Sequence, residues 1–233
     1  MNCRQKRYCM MLAVLLASLV GCNRMADKIN VVNEKPVKQR LELGLMGHEG
    51  TMKYELEDAY VTTELNENGI DINMLDESSF IYCMNGNGKM ENIGYPEYFE
   101  DYNKGILKSP AKLYVCRIKV TNQDATYSVE DEYKDPYIFR ADNIFLCYLP
   151  DKMSGKEQIK YKNVEYYSLR KDGDYEWATY ELKPGESITY DVGFVLGDYL
   201  DGKELDMKKG KLYLSNTGGS EDGEYYNIDW SER

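Results

Sequence analysis

The chain has 233 residues, with 29 basic side chains against 40 acidic ones and a formal net charge of −11. That balance argues against nucleic acid as a partner, because phosphate binding is driven by basic side chains, and against lying flat on an anionic membrane. The length suits one generous domain or two small ones, and 22 tyrosines against 5 phenylalanines and 2 tryptophans favour strands with partly exposed hydroxyls.

Arg4, Lys6 and Arg7 precede an apolar run from Met10 to Val20, broken only by Ser18. Its 11 residues fall short of the roughly 20 that a membrane-crossing helix needs. They match the apolar part of a signal peptide with its basic flank. The run ends in Leu19-Val20-Gly21-Cys22, which resembles the bacterial lipobox. That resemblance implies that residues 1–21 are a lipoprotein signal peptide and that Cys22 carries a diacylglyceryl group. It also implies that the mature chain is lipid-anchored at the extracytoplasmic face of a bacterial cell membrane. Two acyl chains anchor stably where one is marginal, at about 0.8 kcal/mol per buried CH₂. Losing 1–21 leaves 26 basic side chains against 40 acidic ones, an acidity read as solubility rather than as a cationic partner.

From Asn23 to about Arg40 the residues are mostly polar, with a lone Pro36. Residues 22–40 are therefore expected to be a flexible tether, with the domain at 41–233. Stretches of period two follow, as half-buried strands require. In RLELGL, Leu41, Leu43 and Leu45 share a face. MKYELEDAYVTT puts Met52, Tyr54 and Leu56 on one face, then shifts phase to Ala59 and Val61, which suggests a bulge at Glu57-Asp58. KLYVCRIKVTN groups Tyr114, Cys116, Ile118 and Val120 against Arg117 and Lys119. ADNIFLCYLP is apolar on both faces, as a central or doubly covered strand would be. WATYELKP aligns Ala178, Tyr180 and Leu182 before a Pro184-Gly185 turn. ESITYDVGFVL aligns Ile188, Tyr190, Val192, Phe194 and Leu196. KLYLSN and YYNIDW close the pattern around a turn at Thr217–Gly223. About eight strands without a rival helical segment predict an all-β domain, a sandwich or barrel. A long irregular insertion, about 66–110, interrupts the pattern. Part of it reads as a short helix with Pro96 in its first turn and Gly105 near its end.

Three of these stretches, YELEDAYVTT, YVCRIKVTNQDA and YELKPGESITYDVGFVL, come in an order that resembles the immunoglobulin-like sandwich domains of bacterial lipoproteins and of the mycobacterial secreted immunoprotective antigen. The resemblance spans about Leu41 to Trp230. It implies an immunoglobulin-like antiparallel β-sandwich of unknown function, often from Gram-positive bacteria, and carries no catalytic residues to transfer.

The residues themselves offer little chemistry. After Cys22, only Cys83, Cys116 and Cys147 remain, an odd number, so free thiols or at most one dispensable bridge are expected. His48, the only histidine, sits among glycines in GLMGHEG and reads as a turn residue. No nucleophile elbow or phosphate loop accompanies it. Asp172, Asp174 and Glu176, and Asp198 with Asp201, only partly match a calcium loop. No metal or cofactor is therefore expected. Tyr166-Tyr167 and Tyr225-Tyr226 must split their rings between two faces, and Trp177 points away from Ala178 and Tyr180. Any exposed members of Trp177, Tyr166, Tyr167, Tyr225 and Tyr226 are candidate contacts for a surface protein or glycan. The expected function is a surface-tethered, non-enzymatic binding or accessory module. The alternatives are a carbohydrate-binding lipoprotein using exposed aromatics and, third, an acidic-residue hydrolase with its site in the insertion.

Overall fold

The computed structural model describes residues 29–37, 40–44, 48–75, 95–128, 136–151, 159–170, 178–200, 203–220 and 222–233. These residues form an all-β structure without an α-helix, and no helix among them is long and apolar enough to cross a membrane. Two large sheets dominate. The first, sheet A, has the order β1 (Asn30–Val37), β16 (Glu224–Ile228), β15 (Gly210–Ser215), β8 (Phe145–Pro150) and β9 (Lys160–Lys162). The second, sheet B, runs β10 (Tyr166–Tyr167), β12 (Ser187–Leu196), β6 (Lys112–Asn122) and β3 (Met52–Thr62). The free side of β3 is shared by β2 (Leu41–Leu43) along Tyr54–Leu56 and β17 (Ser231–Glu232) along Tyr60–Val61. Among the described residues, three two-stranded ribbons add to these sheets: β7 (Ile138–Arg140) with β11 (Thr179–Glu181), β13 (Tyr199–Leu200) with β14 (Lys203–Glu204), and β4 (Phe99–Asp101) with β5 (Ile106–Leu107). Most pairs are antiparallel, as the alternation predicts, but β1 with β16 and β17 with β3 are parallel.

One core lies between the two sheets. Sheet B contributes the even-numbered face of β6 and β12, with Cys116, Ile118, Val120, Tyr190, Val192, Phe194 and Leu196. Sheet A contributes Leu146, Leu212, Leu214, Tyr226 and Ile228. The phase shift read from β3 is a bulge: Leu56 pairs with Ile118 and Asp58 with Arg117, leaving Glu57 extra. Ala59 can then face the core that Leu56 and Tyr54 already fill. β8 is an interior strand of sheet A, between β15 and β9, and is apolar on both faces, with Leu146 in the shared core and Cys147 and Leu149 on the outside.

Both sheets carry a second layer on their outer faces. On sheet B, Leu113, Val115, Val195 and Tyr60 are covered by Leu65, Ile70, Ile72, Leu75, Tyr98, Phe99 and Leu107. The described parts of the insertion are thus a packed cap rather than an irregular loop. The helix expected near Pro96 is only a 3₁₀ turn, Tyr95–Tyr98. The chain then pairs Phe99 with Leu107, because both side chains bury against the sheet and Gly105, at φ 67°, supplies the left-handed turn residue between them.

Residues 30–37, expected from their polar composition to belong to a flexible linker, are part of sheet A. They pair with β16 in a parallel edge strand with two register shifts. Asn33 explains the docking. Its side-chain oxygen accepts the Asn227 N–H at 3.0 Å, and its amide nitrogen donates to the Asn227 carbonyl at 2.7 Å. Pro36 is tolerated because an edge strand has one side without a ladder.

Cys116 and Cys147 are free and buried, while Cys83 lies outside the described residues. Burial pushes the Cys116 thiol well up and the Cys147 thiol to about 12. Both stay protonated at neutral pH, and the thiolate is the reactive form. Native protein is therefore expected to resist alkylation at both positions until it unfolds. Its melting temperature is expected to be the same with and without reductant, since a lost bridge costs about 2–5 kcal/mol. A large drop on reduction would contradict this.

Candidate contact surface

The paired tyrosines split their rings as alternation requires. Tyr167 lies in the shared core and Tyr166 under the insertion. Tyr226 lies in the shared core and Tyr225 beneath the outer layer of sheet A. All four are between 0 and 4 % exposed. They therefore fail the condition of exposure and serve as packing. Tyr167 stacks edge-on against Tyr190 at 5.5 Å, and Gly193 lets Tyr166 approach β12 so closely that a Cβ there would sit 3.0 Å from the Tyr166 Cβ. Burial pushes the Tyr166 and Tyr226 hydroxyls up to about 12. Trp177, Cys22, Asp172, Asp174, Glu176 and Asp201 lie outside the described residues.

The aromatics that do reach the surface are others. Tyr161 on β9 is 42 % exposed, and its ring meets Phe145 edge-on at 5.6 Å. Register puts Tyr161, Cys147 and Tyr213 in one row across sheet A. Phe145, Tyr213, Ile29 and Val31 are the half-buried rim of this outer layer. The loop after β15 folds over it. At Gly219, with φ 79°, a Cβ would sit 3.0 Å from the Tyr161 ring. Sequence alternation pointed toward this face, since β8 is apolar on both sides. It did not identify Tyr161, flanked by two lysines in a strand of three residues.

The outer face of sheet B is divided. Its half nearest Thr62 and Leu113 lies under the insertion, and its other half is polar. Arg117 grips Asp191 through two hydrogen bonds of 2.8 and 2.9 Å. Lys53 bridges Glu42 at 3.1 Å and Glu55 at 2.9 Å, and Arg40 also pairs with Glu55. The Lys53 ammonium, followed by burial and the Arg40 guanidinium, sets the Glu55 balance, and the two cations hold its carboxyl below the usual range. Arg233 pairs with Asp58 and lies over the Tyr60 ring, 4.1 Å from its centre. These charges are mutually matched, so the face reads as a solvated sheet surface.

His48 is in the turn between β2 and β3, as its glycines suggest. Its Nδ1 lies 3.1 Å from the Gly50 carbonyl and its ring stacks on Tyr54. At the start of the insertion, Glu67 beside Glu64 holds the Glu64 carboxyl above the usual range, by hydrogen bonding first and like charge second. Both are exposed on one turn. A glycosidase pair instead flanks a cleft, with its carboxyls about 5–9.5 Å apart. Among the described residues no group of three His, Cys, Asp or Glu side chains is placed to hold a metal. Comparison with protein-family models, with curated protein sequences and with solved structures finds no match.

Proposed function

We propose that this chain is a lipid-anchored binding or accessory module of a bacterial cell surface, with an immunoglobulin-like sandwich and no catalytic role. The observation that carries the reading is Leu19-Val20-Gly21-Cys22 after a short apolar run with a basic flank. The strand order supports the fold proposed. Taking β3, β6, β12 and β10 as strands A, B, E and D, and β8, β15 and β16 as C, F and G, is in keeping with the sheet order of an immunoglobulin domain, which supports the reading. β9 then extends the C edge as in variable-type domains. The B–F disulfide of antibody domains has no counterpart, because Cys116 on β6 is free.

The expected partner is a surface protein or a glycan, and not nucleic acid. A tether raises effective concentration near surface partners, so weak contacts suffice. The carbohydrate-binding alternative is supported by one observation, the exposed Tyr161 beside Phe145 and Tyr213 on sheet A. The test uses the purified lipid-bearing chain on a glycan array, in an envelope pull-down and on a panel of glycan and peptide substrates. Binding without turnover is expected. Glycan capture lost on Tyr161→Ala promotes the carbohydrate reading. Turnover abolished by replacing one carboxylate rejects the binding module.

A further inference from the structure

We infer that the domain stands on the membrane with residues 216–220, 222 and 223 toward the bilayer and residues 63–75 and 95–111 pointing away from it. The inference rests on the lipid-anchor reading and adds to it an orientation. It follows from where β1 begins. Asn30 pairs with Glu224, the first residue of β16, so the chain enters the fold beside the turn that joins β15 to β16.

Register and cross-sheet bonds fix what else lies at that end. On sheet A, Ser215 pairs with Phe145. On sheet B, Met52 pairs with Asn122 and Ser187 with Thr121. Gly44, just past β2, ties the two sheets together there. Its N–H donates to the Tyr226 hydroxyl at 2.8 Å, and its carbonyl accepts from Asn216 at 3.0 Å. The opposite end is equally defined. Thr62 pairs with Leu113, Leu196 with Lys112, and Gly210 with Pro150. Glu232 lies 3.9 Å from Lys112. The insertion leaves β3 and enters β6 at this second end, and it caps the adjoining half of sheet B.

Lengths then decide the orientation. β3 has 11 residues, which at about 3.3 Å per residue separates the two ends by roughly 33 Å. From Cys22 to Asn30 the chain has eight residue steps. Fully extended, these reach about 29 Å at most, and a flexible chain of that length averages about 16 Å. An inverted domain would need more chain than there is. Had residues 22–40 been a free tether, about 18 steps would reach roughly 60 Å, and either end could have met the bilayer. The pairing of β1 with β16 is therefore what gives the domain a direction. Partners approaching from outside the cell meet residues 63–75 and 95–111 first.

The test places the purified lipid-bearing chain in phosphatidylcholine vesicles that carry a headgroup energy acceptor. A donor fluorophore is attached after Asp222→Cys or Glu67→Cys, in a Cys83→Ser background, since Cys116 and Cys147 are buried. Asp222 and Glu67 are exposed, at the tether end and the insertion end respectively. Strong quenching is expected for the donor at position 222, with most of it lost at position 67. Inserting about 20 Gly/Ser residues after Cys22, which lengthens the reach beyond the domain itself, is expected to shrink the difference. Equal quenching at both positions in chains that float with the vesicles overturns the orientation alone. Chains that fail to float overturn the anchor reading and the orientation with it.

Discussion

Lys162→Met is expected to destabilise the folded domain by about 3 kcal/mol or more. Lys162 lies on β9 at the edge of sheet A, and its ammonium is 2.5 Å from the Glu165 carboxylate. Both side chains are only 10 % exposed. Glu165 sits on the short link into sheet B, and its other oxygen accepts the Val195 N–H of β12 at 2.7 Å. The ion pair therefore lies where the chain changes sheets. Removing the cation leaves a carboxylate in a site that has already shed most of its water. Breaking a buried pair in this way costs about 3–5 kcal/mol, whereas replacing both partners by well-packed groups is often neutral. At roughly 2–4 °C per kcal/mol for a chain of this size, the melting temperature should fall by about 6–12 °C. Lys162→Met combined with Glu165→Leu gives up the Val195 hydrogen bond to a carboxylate, worth about 1.5–3 kcal/mol, yet should recover part of the loss. A single variant that melts like the parent would show that the pair is solvated and contributes little.

Cys22→Ser is expected to move the chain from the membrane fraction to the soluble one. Serine keeps the size of the side chain but lacks the sulfur that, in the proposed anchor, accepts the diacylglyceryl group. Two chains of some 30 CH₂ groups at about 0.8 kcal/mol each exceed any surface contact the domain can offer. The domain itself is acidic, so it has little attraction of its own for an anionic leaflet. The change is therefore close to all-or-none in fractionated cells, without loss of the folded domain. A Cys22→Ser chain that stays in the membrane fraction and still carries lipid label would remove the anchor from the account.

The sheet interior was legible because its pattern is local. β6 and β12 each run 10 or more residues with one apolar face, and even the β3 bulge announced itself as a change of phase. The Pro184-Gly185 turn was equally local; Gly185 has φ 88° and Glu186 donates back to the Lys183 carbonyl at 3.0 Å. What escaped depends on partners distant in the chain. β1 reads as polar linker because its attachment rests on the Asn33 amide meeting the Asn227 backbone, which no periodicity records. β10 has two residues and β9 three, too few to show a period. The tyrosine pairs illustrate the limit most clearly. Alternation predicted that their rings would part, and they do. Whether the second face is open or covered depends on the insertion over Tyr166 and on the layer over Tyr225, and a strand's own residues do not say what is laid upon it.

The most direct measurement of the anchored-module account is the intact mass of the mature chain purified from its membrane, with the N-terminal peptide sequenced by fragmentation. The expected mature chain starts at Cys22 and carries a diacylglyceryl-sized addition on that residue. A mature chain that retains residues 1–21, or that starts elsewhere with an unmodified Cys22, would contradict it.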